Sequence, residues 1–336
     1  MERMRAARLH LPSRTLVVEE VDRPVPGPGE VLVKVEAAGV CLSDVHLVDG
    51  ELSPMYLEGD AVTLGHEVAG TVAGAGTGVT GWTAGARVVL QAGEQRRGRT
   101  HTRGVDYDGG WAEYALATAS TLVALPDSLP FEQAAIIPDA VSTPWAAVTA
   151  TGDVRAAEAV GVWGAGGLGA HAVQLLRAVG AHPVVAVDPA AAARRRALEF
   201  GADLALDPAD PQFREKVLGA TGGVGLTAAF DFAGAPAVHE QALATLAPKG
   251  RLVLVGLTDQ PLTVARGTLF SYLQQRILGH YGSEGHHVAQ LVRLAEGGRL
   301  DFSRSITDVL PLEDAAAAVR RVKTKEGDPV RIVLRP

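Results

Sequence analysis

Cysteine is nearly absent from this chain: Cys41 is the only one in 336 residues. An intrachain disulfide is therefore excluded, and so is any structural zinc site built from four cysteines of one chain. Long apolar runs are missing as well, since no stretch approaches the roughly 18 uninterrupted apolar residues of a membrane span. An excess of positive charge is also lacking. With a formal net charge of -7, nothing electrostatic points to nucleic acid or an anionic membrane as partner. The opening residues, MERMRAARLHLPSRTLVVEE, contain no apolar core of a secretory signal. The expectation is a cytoplasmic protein. Internal repeats and low-complexity tracts are absent too.

What is there is the balance of a globular protein, 47% hydrophobic and 21% charged, with length for two domains. The first hundred residues read as β-rich: LVVEEV, EVLVKVEAAGV, HEVAGTV and ARVVL are short, β-branched and separated by Gly/Pro turns. Residues 91–109 are polar, basic and aperiodic, which predicts an exposed loop. Helical patterns begin near residue 131. From about residue 158 strand and helix alternate, with AVGVW, GLGAHAVQLLRAVGA, PVVAVD and AAAARRRALEFGA, then AAFDFAG, AVHEQALATLAPKG and RLVLVGL. That order predicts an α/β fold with a doubly wound parallel sheet covered by helices. The final helix and strand are PLEDAAAAVRRVKTK and VRIVLRP.

Residues 160–169, VGVWGAGGLG, set Gly164, Gly166 and Gly169 in a G-x-G-x-x-G pattern between an apolar strand and a helix. The helix should line one face with Leu168, Ala172, Leu176 and Val179. Glycines at these places permit a tight turn, close approach of a pyrophosphate and tight helix–strand packing. The helix start, with Gly167 and Leu168, offers free N–H groups and the positive dipole end to phosphates. Asp188 closes the next strand about 20 residues on, where a carboxylate accepts hydrogen bonds from the adenosine ribose hydroxyls. Its charge would repel a 2′-phosphate, which favours NAD over NADP. Arg194, Arg195 and Arg196 argue the other way if they bind that phosphate; as a solvated helix face they do not.

The stretch GVCLSDVHLVDG places Cys41 beside Ser43, Asp44 and His46; TLGHEVAG adds His66 and Glu67, and IIPDAVSTPWAAV adds Asp139. A lone cysteine is more often a small buried hydrophobe than a ligand. Taken together, the G-V-C-x-S-D-x-H segment, the G-H-E segment, the G-x-G-G-x-G fingerprint and the domain order resemble the zinc-dependent medium-chain alcohol dehydrogenases over nearly the whole chain. The resemblance implies a β-rich GroES-like catalytic domain at 1–140 and 285–336. It implies a Rossmann-type NAD-binding domain at 141–284.

It further implies one catalytic zinc held by Cys41, His66 and Asp139, with Glu67 behind it or an occasional ligand. Three protein ligands and an open fourth position make a catalytic rather than a structural site. A thiolate and a carboxylate together neutralise the ion. Asp44 is expected to orient the free nitrogen of His66. Ser43 and His46 match the family's proton relay, Thr143 a threonine beside the nicotinamide, and Arg331 a position that contacts the pyrophosphate. Imidazole suits the last relay step, because its ordinary pKa near 6.5 lets it exchange protons with solvent at neutral pH.

Departures from the family are also visible. The basic stretch EQRRGRTHTRG stands where many members carry a four-cysteine zinc lobe, so a second zinc is not expected. Leu42 replaces a pyrophosphate-binding arginine of some relatives. Trp111, Trp145, Leu57 and Tyr281 are candidate pocket residues, and each could equally be core. The function implied is reversible hydride transfer between NAD and a small alcohol, secondary or hydrophobic ahead of a polyol. One alternative is a zinc-retaining reductase of an unusual carbonyl, imine or conjugated double bond. A second is a non-catalytic nucleotide-binding protein on this scaffold. Cys41 with His66 weighs against a metal-free quinone or enoyl reductase. The segment 266–284 lies where the family pairs subunits, implying a homodimer or homotetramer.

Overall fold

The longest strand, Glu30–Val40, organises the first part of the molecule. The structure, a computed structural model, describes residues 2–96 and 98–336; the predicted 91–109 loop therefore includes one residue, Arg97, outside the described residues. The chain divides into two compact units, Met1–Ala140 with Glu284–Pro336, and Val141–Ser283.

In the first unit a sheet runs in the order Leu122–Ala124, Arg87–Leu90, Val68–Ala75, Glu30–Val40, Arg331–Arg335, Ile306–Pro311, with Tyr114–Thr118 also paired to Glu30–Val40. Arg3–His10, Thr15–Asp22 and Ala61–Thr63 form a smaller sheet. Val31, Val33, Val35, Val68, Val88, Leu90, Ile332 and Leu334 meet in one core. Each such side chain, fully buried, contributes about 1.5–3 kcal/mol. The register matters most for function. Ala38 pairs with Val68, and Val40 pairs with Ile332. Residues 67 and 331 are thereby brought to either side of residues 39–41.

The predicted 91–109 loop is a correction. Gly93–Arg96 and Arg99–Thr102 form a hairpin, turned by Gly98 at φ +74°. Its polarity is partly internal. Buried Arg103 donates to the Leu116 carbonyl at 2.7 Å, and buried Glu94 pairs with Arg96 at 2.7 Å and accepts from the Thr118 hydroxyl. Hydrophobic periodicity cannot register a segment anchored by hydrogen bonds from buried charged side chains.

The helical run that begins at Phe131–Ala135 widens into π turns at Ile137–Val141 and Ala147–Thr151. Pro138 and Pro144 lack the N–H of an α-helical ladder, and the wider turns absorb the loss. Asp139 lies on the first of them.

The second unit holds six parallel strands in the order Leu204–Leu206, Val184–Val187, Val160–Trp163, Leu226–Asp231, Leu246–Leu254, Arg276–Gly279. By chain order this is 3-2-1-4-5-6, the doubly wound arrangement. Val160–Trp163 and Val184–Val187 are buried throughout, as strands covered on both faces are. The helix Gly167–Val179 departs from the one-faced expectation: Ala170, His171, Ala172, Val173, Leu175 and Leu176 are all buried, while Leu168 and Val179 are only half-buried. The helix expected to run into LAPKG stops at Thr245, because Pro248 cannot continue it and Lys249 adopts φ +64°.

Candidate metal centre and dinucleotide site

Cys41 precedes the helix Leu42–Asp49, and Asp44 in its first turn reaches back to accept the Cys41 N–H at 2.8 Å. That is half of a capping box, and it fixes the thiol's backbone. His66 and Glu67 follow Gly65, whose φ of +95° makes the turn into the next strand. Asp139 arrives from the π turn. One ligand atom from each of Cys41, His66 and Asp139 lies within 4.8 Å of the others. Cys41 Sγ stands 3.3 Å from Asp139 Oδ2, and His66 Nε2 stands 3.4 Å from the same oxygen.

Tetrahedral zinc, with Zn–S about 2.3 Å and Zn–N or Zn–O about 2.1 Å, separates its donor atoms by about 3.4–3.6 Å. The donor set and its spacing therefore fit zinc. The electrostatics fit as well. Burial works against a charged His66, yet Asp44, Asp139 and Cys41 outweigh it and hold its pKa well above the ordinary imidazole value. A cluster that attracts a proton this strongly is one whose proton a divalent cation displaces.

Behind the ligands sits a pairing that sequence reasoning missed. Arg331, opposite Cys41 in the sheet, donates to Glu67 Oε1 at 2.9 Å and to Cys41 Sγ at 3.5 Å, and lies 3.7 Å from Asp139 Oδ2. The Ala140 N–H also donates to Glu67 Oε1, at 2.8 Å. Burial, opposed by Arg331, pushes the Glu67 pKa up to about 7. Glu67 Oε2 has no partner, and a Cβ on Gly39 would stand 2.0 Å from it. Glycine at 39 is what leaves room for this carboxylate. Asp44 Oδ1 faces His66 Nδ1 at 3.6 Å, too long for a hydrogen bond. The expected orienting contact is an approach rather than a bond.

Ser43 and His46 share the Leu42–Asp49 helix three residues apart, on one face. Half-exposed His46 pairs through Nδ1 with Glu51, a partner that no motif signalled. Leu42 is exposed. Of the pocket candidates, Trp111 is core, fully buried with Nε1 donating to the Gly39 carbonyl at 3.0 Å. Leu57 packs on the first unit's core, Trp145 is half-buried, and Tyr281 is exposed.

In the second unit the fingerprint has the shape its glycines require. Gly164 takes φ +85°, and a Cβ on Gly169 would stand 1.7 Å from the Gly164 carbonyl oxygen. Gly166 has ordinary φ and open space where a Cβ would sit. The protein's own packing gives no reason for glycine there, whereas a pyrophosphate lying against the backbone does. The helix that starts at Gly167 has no side-chain cap, so its first N–H groups are available to an anion.

Asp188 accepts the Ala165 N–H at 2.8 Å through Oδ2 and the Ala190 N–H at 2.8 Å through Oδ1, joining the end of its strand to the fingerprint turn. Arg194 is engaged by Asp207 at 3.0 Å and by the Asp188 and Pro189 carbonyls, and Arg196 by the Ala165 carbonyl at 2.9 Å. Thr143 is buried, and His280 Nε2 donates to its carbonyl at 3.1 Å.

Residues 27–127 match the alcohol dehydrogenase GroES-like domain family, and residues 167–297 match the zinc-binding dehydrogenase family. The class is thus a zinc-binding oxidoreductase. L-threonine 3-dehydrogenase of Pyrococcus horikoshii is 33% identical over 327 residues, covering 91% of each chain. The structure of 2R,3R-butanediol dehydrogenase from Bacillus subtilis superposes with TM-score 0.91 at 26% identity, covering 99% of each chain. A zinc-binding dehydrogenase from Sinorhizobium meliloti bound to NADP gives TM-score 0.91 at 26% identity over 100% of each chain. The chain belongs to the zinc-dependent medium-chain alcohol dehydrogenases, with a GroES-like domain and a Rossmann-type domain, and is an oxidoreductase acting on alcohols. Among the described residues no helix is long and apolar enough to cross a membrane.

Proposed function

We propose that the protein oxidises a small secondary or hydrophobic alcohol with NAD, and reduces the matching ketone or aldehyde in reverse, using one zinc ion held by Cys41, His66 and Asp139. The observation that carries this reading is the convergence of those three ligand atoms within 4.8 Å, from segments far apart in sequence. When bound, zinc supplies a Lewis acid for the alcohol oxygen and the nicotinamide ring accepts the hydride.

The chain's own residues do the rest. Cys41 and Asp139 balance the charge of the ion, and the Glu67–Arg331 pair behind them adds none while Glu67 is ionised. The Ser43 hydroxyl accepts the proton of the substrate hydroxyl as it gives up its own, which passes through the nicotinamide ribose to His46 and from there to solvent, with Glu51 holding the imidazole by Nδ1. Gly164, Gly166, Gly167, Leu168 and Gly169 cradle the pyrophosphate, and Thr143 lies beside the nicotinamide.

NAD is the preferred dinucleotide. Asp188 places its negative charge at the ribose, and Arg194 and Arg196 are already engaged by protein oxygens rather than standing free for a 2′-phosphate. The substrate class draws on the named relatives, since the 3-hydroxyl of threonine and the hydroxyls of 2,3-butanediol are secondary alcohols.

Self-association is supported by the edge strand Arg276–Gly279, which among the described residues pairs only with Leu246–Leu254, and by exposed Leu257, Leu262, Leu269 and Tyr272 in the segment that precedes it. A homodimer or homotetramer formed along that edge is the proposed assembly. The single unpaired thiol suits the reducing cytoplasm.

The test is a panel of primary, secondary and polyhydric alcohols offered with NAD and with NADP, read by the absorbance of the reduced ring. Turnover of secondary alcohols is expected, with kcat/KM at least about tenfold higher for NAD. No turnover of any alcohol or carbonyl by zinc-loaded protein would overturn the proposal.

A further inference from the structure

The chemistry above leaves one buried ionisable pair unused, Asp231 and His239. Asp231 ends the strand Leu226–Asp231 and lies in register with Trp163, the last residue of the fingerprint strand. Between these two strands the strand order reverses, and a ligand of such a sheet binds outside the carboxyl ends at that point. Asp231 is 0% exposed and His239 3%.

Asp231 Oδ1 accepts the N–H groups of Ala233 and Gly234 at 2.8 and 3.0 Å, and Oδ2 faces His239 Nε2 at 3.0 Å. The Asp231 carbonyl accepts the N–H groups of Val255 and Gly256 at 2.9 and 2.8 Å. One residue thereby fixes two loops, 232–234 and 255–257, at the ends of adjacent parallel strands. The loops meet backbone to backbone: a Cβ on Gly256 would lie 2.4 Å from the Gly234 nitrogen. They also reach the fingerprint turn, where a Cβ on Gly164 would lie 3.1 Å from the Ala233 nitrogen.

The protonation state follows from the one atom without a partner. His239 Nδ1 is buried and unpaired. An unpaired lone pair is tolerated better than an orphaned N–H, so the proton sits on Nε2 and is donated to an ionised Asp231.

We infer that the Asp231–His239 pair positions the nicotinamide half of the dinucleotide. It sets two loops beside the fingerprint turn, on the opposite side of the fingerprint strand from Asp188. The inference rests on the dinucleotide reading and deepens it. His239 acts here as a positioning residue, through Asp231 and the backbone Asp231 holds.

The experiment uses full-length, zinc-loaded protein and two probes, NADH and AMP, because AMP occupies only the adenosine half. His239→Ala is expected to weaken NADH binding about tenfold, the scale of one hydrogen bond to a charged group, with AMP affinity held within about twofold. His239→Gln, which brings an amide N–H toward the Nε2 position, should recover most of the loss. Unchanged NADH affinity overturns the inference, and so does a parallel loss of NADH and AMP, which would mark general loosening. If His239→Ala does not fold, Asp231→Asn is read by the same ratio with the same two outcomes. A wild-type protein that binds neither probe refutes the dinucleotide reading itself, a different failure from a variant that loses both.

Discussion

Arg331 Nη2 donates to Glu67 Oε1 at 2.9 Å with both side chains buried, across 264 residues of sequence. With Glu67 ionised the pair is neutral as a unit and adds no charge behind the metal ligands. Breaking it leaves an uncompensated buried group. Arg331→Met is expected to destabilise the protein by about 3–5 kcal/mol, and adding Glu67→Gln should return part of that. Denaturant unfolding of the two variants checks both statements; a single variant as stable as wild type would show the pair to be dispensable.

Asp139 supplies the only carboxylate of the proposed ligand set. Elemental analysis should find close to one zinc per chain in wild type and a marked loss in Asp139→Ala. Unchanged zinc content would remove Asp139 from the metal.

Gly166 separates cofactor binding from folding. Its Cβ position is open, so Gly166→Ala should leave thermal unfolding within about 1 kcal/mol of wild type. The same methyl group would stand where the pyrophosphate is proposed to approach, and KM for NAD should then rise about tenfold or more. Steady-state kinetics with an unaltered KM would place the phosphates elsewhere.

Ser43→Ala should lower kcat about 100-fold while zinc content stays at the wild-type level, since a positioned proton acceptor is worth about that much. His46→Ala should lose less, about tenfold, because solvent can take the proton directly. Added imidazole restoring part of the His46→Ala rate would tie the residue to proton transfer rather than to packing.

Glu94 sets an acid limit on the hairpin lobe. Burial works to raise its pKa, but the Thr118 hydroxyl, Arg96 and Arg103 outweigh it and hold it below the ordinary 4.5. A carboxyl held lower in the folded state favours folding above 4.5, and that contribution disappears as pH falls from there through the folded value. Wild type should therefore exceed Glu94→Gln in thermal stability near neutral pH, with the gap closing in acid. A gap independent of pH would show that the charge of Glu94 contributes nothing.

Much of this was legible in the residue string, for identifiable reasons. The fingerprint glycines follow from backbone geometry that few residues satisfy, and the central parallel strands Val160–Trp163 and Val184–Val187 read as continuous apolar runs because both faces are covered. Cys41, His66 and Asp139 were reached through motif resemblance, since three isolated residues have no shared spacing to detect. Arg331 beside Glu67 depends on which strands pair and in what register. That long-range choice leaves no local periodicity. The hairpin at 93–102 was read as a loop because its order comes from Glu94 and Arg103, buried charges that a hydropathy pattern counts as exposed. Asp231 and His239 were passed over because neither belongs to a motif, and only the sheet order sets them at the switch point.

The pairing of Val40 with Ile332 has a consequence for how the molecule is made. During synthesis all three ligands emerge by residue 139, yet the guanidinium that neutralises Glu67 is translated almost two hundred residues later. Until then Glu67 lacks its guanidinium partner, and the sheet lacks the strand that pairs with residues 38–40. The parallel sheet of residues 160–279 has by then been fully translated. The nucleotide unit is therefore free to mature first, and the metal centre is completed only when the last strand docks.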